Sequence, residues 1–172
     1  MSGFVGWAAA AVATALALST SCGWLGQPPP LANTRSSPES LARAVLAALA
    51  ARDETSLRAL ALSGQEFRQH VWPELPAARP ERNLSFGYVW SDLRQKSDAR
   101  LRQALARHGG QRYELLRLTY GGATTRYGTC TVHRETTLVV RDAAGDEQAI
   151  RAYGSTLEQA GAFKVFSYVV DD

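Results

Sequence analysis

Residue types that commonly hold metals are scarce in this chain. Only three His and two Cys occur among 172 residues, and the spacing of His70, His108 and His133 matches no metal-ligand motif. A Gly-rich phosphate loop is also lacking, because Gly109–Gly110 and Gly121–Gly122 are typical of a helix stop and a turn. No G-x-S-x-G nucleophile elbow is present. The sequence therefore predicts neither a metal site nor a cofactor.

Basic clusters are equally lacking. Seventeen Arg and two Lys stand against 16 acidic residues, which gives a net charge of +3. The two signs are interspersed, as in Arg141–Asp142, and no run of five basic residues occurs. Because a nucleic-acid surface normally shows a stripe of positive charge, we expect no nucleic-acid partner.

The stretch before the first charged residue, Arg35, is organised like an export signal. An Ala-rich apolar run of 16 residues extends from Gly3 to Leu18, and small residues fill positions 19–21. A membrane-spanning helix needs about 20 apolar residues, whereas the apolar core of a signal sequence is shorter. Residues 1–21 are therefore interpreted as a signal sequence or a membrane anchor.

The segment Leu18-Ser19-Thr20-Ser21-Cys22 resembles the lipobox of bacterial lipoproteins. That resemblance implies that Cys22 is the first mature residue and carries a lipid. Two alternatives remain open from the residues themselves. An uncleaved signal anchor would cross the bilayer from Gly3 to Leu25, with Trp24 near an interface, and a secreted protein would be cut near Ser21.

All three interpretations place residues 35–172 outside the cytoplasm. We therefore expect a location in the bacterial cell envelope, such as the periplasm, with the membrane as a partner of the N-terminus. If Cys22 is acylated, Cys130 has no disulfide partner, and we expect it to behave as a small buried apolar side chain.

Residues 22–37 are predicted to be a Pro-rich tether. Gln27–Pro30 favours an extended conformation, and Asn33–Ser37 is polar and turn-prone. Residues 38–172 then form one domain of about 135 residues, which is long enough to bury roughly 68% of its unfolded surface.

Helices are predicted in the first half of that domain. Ser37 is a suitable N-cap with Pro38 at the first helical position, and apolar residues follow at helical spacing. A second helix is expected to start at Asp53. A third covers 65–71, and a longer one lies within 84–108, with its helical spacing clearest from Asp92 onward, before the Gly109–Gly110 stop.

The second half is predicted to form strands, because Thr, Val and Tyr are frequent there and short turns interrupt them. The expected strands cover 112–120, 124–141, 147–157 and 163–170. Segments joined by such short turns are expected to be antiparallel neighbours. Helices followed by strands predict an α+β domain in which the N-terminal helices pack on a curved four-stranded antiparallel sheet.

This order of elements over residues 38–170 resembles the cystatin-like architecture and, within it, the nuclear-transport-factor-2-like (SnoaL-like) superfamily. The resemblance implies a cone of curved sheet closed by helices. It also implies that a His and an Asp inside the cone can act as an acid–base pair on a small ligand. His70, Asp92 and His133 are the candidate catalytic residues.

Structural explanations exist for each candidate. Asp92 is explained as a helix cap with Lys96 as its surface partner. His133 is expected on the face of its strand opposite Cys130 and is interpreted as a surface residue. His70 lies in a Trp- and Pro-containing segment and is interpreted as an exposed polar group.

Aromatic residues are the candidate lining of a ligand pocket, since pockets are mostly apolar with a few polar groups. They are Trp72, Trp90, Tyr113 and Tyr127. The leading hypothesis is a membrane-tethered, non-catalytic binding module for a small apolar ligand or an envelope protein. A small enzyme using a His/Asp pair and a purely structural envelope protein are the alternatives.

Overall fold

The computed structural model describes residues 28–170. The predicted signal sequence and the predicted lipidation of Cys22 lie outside the described residues and stay predictions. None of the helices within the described range is long and apolar enough to cross a membrane.

The first two helices begin at the predicted caps. Helix α1 (Pro38–Ala50) is capped by Ser37, whose hydroxyl accepts a hydrogen bond from the Ser40 N–H at 3.0 Å. The Ser40 hydroxyl in turn accepts the Ser37 N–H at 3.2 Å, so Ser completes the reciprocal cap that Glu or Gln usually closes. Helix α2 (Glu54–Leu60) is capped by the carboxylate of Asp53.

The connection from α2 to the long helix is made of short helical turns. Helix α3 (Gly64–Glu66) continues into a π-helical turn (Phe67–Val71), which together match the predicted third helix. Three 3-10 turns follow, at Trp72–Glu74, Pro76–Ala78 and Pro80–Arg82. A Pro at the start of each 3-10 turn cannot donate a backbone hydrogen bond, so no α-helix extends through this region.

Helix α4 (Phe86–His108) lies within the predicted segment 84–108. Its N-cap is Ser85, which accepts the Tyr88 N–H at 3.2 Å, so the prediction that Asp92 caps a helix is wrong. Leu101, Ala104 and His108 form its buried side. The helix ends at Gly109, as the sequence predicted.

Seven strands follow in two antiparallel sheets. One sheet has the order β1-β4-β5 and the other β2-β3-β6-β7. The expectation of a single four-stranded sheet is therefore corrected, whereas the predicted α+β class is confirmed. The strands are β1 (Glu114–Tyr120), β2 (Thr125–Tyr127), β3 (Cys130–His133), β4 (Thr136–Arg141), β5 (Glu147–Ile150), β6 (Ser155–Gln159) and β7 (Ala162–Ser167).

The segment 124–141 contains three strands, because β2 and β3 form a hairpin and β4 follows. The chain reverses its direction at Gly128. It does not reverse at Gly121–Gly122. Gly128 has φ +54°, a conformation that favours glycine. Gly121 instead lies opposite Glu135 and donates a hydrogen bond to its carbonyl at 3.1 Å. Glu135 itself has φ +55°. Gly121–Gly122 and, on the opposite chain segment, Glu135 therefore form a bend at which the two sheets separate.

The segment 147–157 is divided in the same way. Strand β5 pairs with β4, and β6 pairs with β3. Between them, the Gly154 carbonyl accepts the Thr136 N–H at 2.9 Å, and its N–H donates to the Ser167 carbonyl at 3.1 Å. Backbone hydrogen bonds therefore continue through the bend at Gly154, although neither β5 nor β6 includes this residue.

Two groups of buried apolar side chains correspond to the two sheets. The first core lies between α1, α2, α4 and the sheet β1-β4-β5, with members such as Leu41, Val45, Leu49, Leu138 and Val140. The second core lies under the segment 62–71 and the sheet β2-β3-β6-β7, and it contains Leu31, Leu62, Phe67, Val71, Cys130, Val132 and Leu157.

Part of the predicted tether packs on the domain. We call residues 29–35 the N-terminal strap. Leu31 is buried in the second core, and Arg35 exchanges backbone hydrogen bonds with Phe163 at 2.8 and 2.7 Å. The packed chain therefore begins near Pro29, earlier than the predicted residue 38.

Candidate functional site

Trp90 lines a partly open cavity of about 220 Å³ between α4, β7 and the segment 58–64, with apolar and polar residues in its lining. Its apolar walls are Ala61, Leu62, Trp90, Leu93, Leu101, Phe166 and Tyr168. Polar groups occur along the rim, among them Arg58, Ser63, Ser97 and Asp98. Apolar walls with a few polar groups at one side are typical of small-molecule sites.

The indole of Trp90 is held in place by close contacts. Its ring lies 5.3 Å from the Phe67 ring, centroid to centroid. A Cβ added to Gly64 would lie 2.8 Å from the indole Nε1, so a side chain at position 64 would push the indole away. Gly64 therefore fixes one wall of the cavity.

The rim of this Trp90 cavity is an ion-pair network. The Arg58 guanidinium contacts Glu54 at 2.7 Å and Asp98 at 2.5 Å. The hydrogen bond to Glu54, followed by the interactions with Asp98, raises the pKa of Arg58. Ser97 uses its hydroxyl to accept the Tyr168 N–H at 3.0 Å. The rim can thus orient the polar end of a ligand while the walls bind the apolar part.

The other three predicted pocket residues lie elsewhere. Trp72 packs edge-on against Phe86 at 5.8 Å, and Tyr127 borders the second core. Tyr113 packs against the first core, with its ring 5.9 Å from that of His108. The predicted aromatic set is therefore not brought together, and Trp90 is the member that lines the cavity.

His70 is buried and serves to hold the strap, so its interpretation as an exposed group is wrong. Its Nε2 lies 2.9 Å from the Pro29 carbonyl oxygen, and its Nδ1 lies 3.0 Å from the amide nitrogen of Gln159. A carbonyl can only accept, so Nε2 carries the hydrogen, and Nδ1 accepts from Gln159. Both ring nitrogens are therefore used in structural hydrogen bonds.

Asp92 lies exposed on α4, and its carboxylate contacts the Lys96 ammonium at 2.8 Å. This confirms the predicted surface pair. The hydrogen bond to Asp92 raises the pKa of Lys96. Neither of the candidate histidines is the partner of Asp92 in this pair.

His133 lies on the face of β3 opposite Cys130, as predicted, but it is only partly exposed. Its Nε2 lies 2.8 Å from a carboxylate oxygen of Glu158, and its ring stacks on Tyr120 at 4.7 Å. The pairing of β3 with β6 brings His133 and Glu158 together, and sequence reasoning missed this pair because the register was unknown.

A group of buried hydroxyls lies near His133. Tyr120 stacks on that histidine, and Thr156 is its partner in the register of β3 and β6. Burial raises the pKa of both Tyr120 and Tyr153. The hydroxyls of Tyr120, Thr136, Tyr153 and Thr156 are all buried. A hydrogen bond with Thr156 partly offsets the effect of burial on the pKa of both tyrosines.

A second concave site is a groove of about 580 Å³ between α4 and the segment 148–152. Its lining is polar and basic, with Arg100, Arg107 and Arg151, and it contains none of the predicted aromatic residues. His108 forms part of its wall, and burial, together with the neighbouring Arg107, lowers the pKa of this histidine. The groove is large enough for a ligand but does not have apolar walls.

No group of three or more His, Cys, Asp or Glu side chains suitable for a metal ion occurs in the described part of the chain. Cys130 is buried and has no disulfide partner there, and burial raises the pKa of its thiol.

Comparisons with protein-family models, curated proteins and solved structures find no match for this chain. The structure alone therefore establishes its architecture as helices packed on two antiparallel sheets.

Proposed function

We propose that this chain is an exported bacterial protein held at the membrane by its N-terminus, with a domain that binds a small apolar ligand without converting it. The Trp90 cavity carries this proposal, since it combines apolar walls with a charged rim. We also propose a cystatin-like, nuclear-transport-factor-2-like arrangement, which is supported by helices preceding antiparallel strands that bend in the middle.

The volume of the Trp90 cavity limits the size of the ligand. An apolar cavity of about 150 Å³ can bind benzene, whereas drug-sized ligands occupy about 300–1,000 Å³. A volume of about 220 Å³ therefore suits a molecule with one or two rings. A single polar group on such a molecule could hydrogen-bond to Asp98 or Arg58 at the rim.

A binding role is preferred over catalysis because the candidate residues have other partners. General acid–base catalysis requires a group within hydrogen-bond reach of the reacting atom. His70 is committed to Pro29 and Gln159, and Asp92 is paired with Lys96. His133 is paired with Glu158 and does not line the Trp90 cavity.

Filling the cavity should weaken binding. We expect the full chain in lipid nanodiscs to bind 5-fluoroindole saturably in a ¹⁹F NMR titration, while partitioning into lipid stays linear. Leu93→Trp places a second indole in the cavity and should weaken saturable binding at least about tenfold, equivalent to 1.4 kcal/mol.

The matched control is Leu116→Trp, because Leu116 is an exposed leucine on β1. This variant should bind like the wild type. The cavity is not the ligand site if saturable binding survives in Leu93→Trp, and the small-ligand proposal fails if the wild type shows only linear partitioning.

The tether has its own test. We expect the chain in the membrane fraction of the expressing bacterium and a diacylglyceryl group on Cys22 in the mass spectrum of the mature N-terminus. Cys22→Ser should then release the chain from the membrane, whereas Cys130→Ser should not. A membrane-bound chain with an intact Met1 would indicate the signal anchor instead, and a soluble chain cut near Ser21 would contradict any tether.

A further inference from the structure

We infer that one end of the four-stranded sheet faces the bilayer, namely the end with the turns at 128–129 and 160–161. This orientation rests on the proposed membrane tether. It follows from where the strap is fastened to the domain and from how few residues remain between that point and the membrane.

The beginning of the strap is fixed beside this end of the sheet. The Pro29 carbonyl accepts a hydrogen bond from His70, and the other nitrogen of that ring accepts one from Gln159. The Gln159 amide also donates to the Thr129 hydroxyl at 3.0 Å. Pro29 is therefore connected through two side chains to the turn that joins β2 and β3.

The rest of the strap is fixed as firmly. The buried Lys164 ammonium donates to the Ala32 carbonyl at 2.7 Å and contacts Glu66 at 3.0 Å. The same carboxylate oxygen of Glu66 accepts the Ala32 N–H at 2.8 Å. Because these groups are buried, releasing the strap would expose an ion pair and the apolar side chain of Leu31.

The chain between the membrane and Pro29 is short. Pro29 is seven steps along the chain from Cys22, and a fully extended chain spans at most about 3.6 Å per step, or about 25 Å in total. In the signal-anchor alternative, four residues follow Leu25, and the limit is about 14 Å. Either form of the tether keeps Pro29 close to the lipid headgroups.

The strand pairing defines which turns lie at this end. Cys130, at the start of β3, is opposite Tyr127 and Gln159, and Gln159 is opposite Ala162. The turns β2–β3 and β6–β7 are therefore neighbours. The turn between β4 and β5 belongs to the other sheet. From there the chain runs through β5, the bend at Gly154 and β6 to Gln159, and its 12 steps from residue 147 to residue 159 span at most about 40 Å.

The orientation does not depend on surface charge. Arg126 lies at the β2–β3 turn, where its Nε donates to the Gly128 carbonyl. A basic side chain near an anionic membrane contributes only about 1 kcal/mol, and Glu74 lies beside the same turn. The maximum length of the chain between the membrane and Pro29 therefore determines which end of the sheet faces the bilayer.

Fluorescence quenching from the bilayer tests this orientation on the full chain. Ala160→Cys places a thiol in the exposed turn between β6 and β7 of the four-stranded sheet, and Ala144→Cys places one in the exposed turn between β4 and β5 of the three-stranded sheet. Each variant is labelled with a bimane maleimide and reconstituted in vesicles that carry a headgroup nitroxide lipid. Quenching at position 160 should exceed quenching at position 144 severalfold. Labelling of the wild-type chain measures the contribution of its natural cysteines.

A lengthened tether is the matched control. Inserting about 20 Gly and Ser residues after Gly26 extends the tether by about 25 Å on average, and the difference between positions 160 and 144 should then largely disappear. A membrane-bound chain with equal quenching at the two positions would overturn the orientation alone. A chain that does not associate with the membrane would overturn both the tether and the orientation.

Discussion

Replacing Gly154 by alanine should strongly destabilise the domain. A Cβ at this position would lie 1.5 Å from the Val169 carbonyl oxygen and 2.5 Å from its carbonyl carbon. Both are backbone atoms, so no rotation of a side chain relieves the clash. The segment after β7 would have to move away, although Tyr168 in this segment is buried in the first core.

The expected cost of Gly154→Ala is at the upper end for overpacking, at least about 3 kcal/mol, which corresponds to a fall in Tm of roughly 10 °C. Thermal unfolding followed by far-UV circular dichroism measures it. The backbone hydrogen bonds to Thr136 and Ser167 meet at this residue, so both sheets should loosen together. If the variant does not fold, its failure to give a cooperative transition supports the same conclusion.

Gly87→Ala is the matched control. Gly87 lies in α4, and a Cβ there would meet no atom within 4 Å. Because alanine is the better helix former, this change should stabilise the domain slightly, by less than the roughly 1 kcal/mol typical of a helix interior, since Gly87 lies in the first turn. A Gly154→Ala variant as stable as the wild type would show that residues 167–170 do not pack against Gly154.

Gly154 is also an example of a feature of the fold that could not be predicted from the sequence. Periodicity and caps correctly predicted where α1 and α2 begin, because those signals are local. The bends at Gly121–Gly122 and Gly154 could not be predicted in this way. A pair of glycines is typical of a turn, and only the pairing of Gly121 with Glu135 distinguishes a bend from a reversal.

The candidate site was likewise only partly predictable from the sequence. Trp90 was predicted to line a pocket from its size and neighbourhood alone. The other walls come from distant parts of the chain, such as Leu62, Phe166 and Tyr168. Glu158, the partner of His133, is 25 residues away in sequence. No local sequence pattern predicts contacts between such distant residues, because these contacts depend on strand register and on how α4 packs.

The buried residue Lys164 gives the second large expected effect. Lys164 is only 2% exposed, and it contacts Glu66 and the Ala32 carbonyl. Lys164→Met leaves the Glu66 carboxylate buried without its counter-ion. Removing one partner of a buried ion pair typically costs about 3–5 kcal/mol. We expect a loss of this size in urea unfolding, together with faster trypsin cleavage after Arg35, because the strap loses one attachment.

Two further variants separate charge from packing. Lys96→Met removes the same side chain from the exposed pair with Asp92, and it should change the stability little because solvent screens this pair. Adding Glu66→Gln to Lys164→Met removes the uncompensated charge, so the double variant should be more stable than Lys164→Met alone. Equal stability of Lys164→Met and Lys96→Met would contradict a structural role for the buried pair.

The pH dependence gives an independent check of the buried pair. Burial alone would raise the pKa of Glu66, but hydrogen bonds from the Ser63 and Ala32 N–H groups and from Lys164 outweigh it, and the pKa is lowered from its usual value. A carboxyl with a lowered pKa in the folded state stabilises the fold above its unfolded pKa, and this contribution is lost as pH falls through the folded pKa. The wild type should therefore lose stability relative to Glu66→Gln between about pH 5 and pH 3. Parallel unfolding curves for the two proteins over this range would show that Glu66 is not held ionised by its partners.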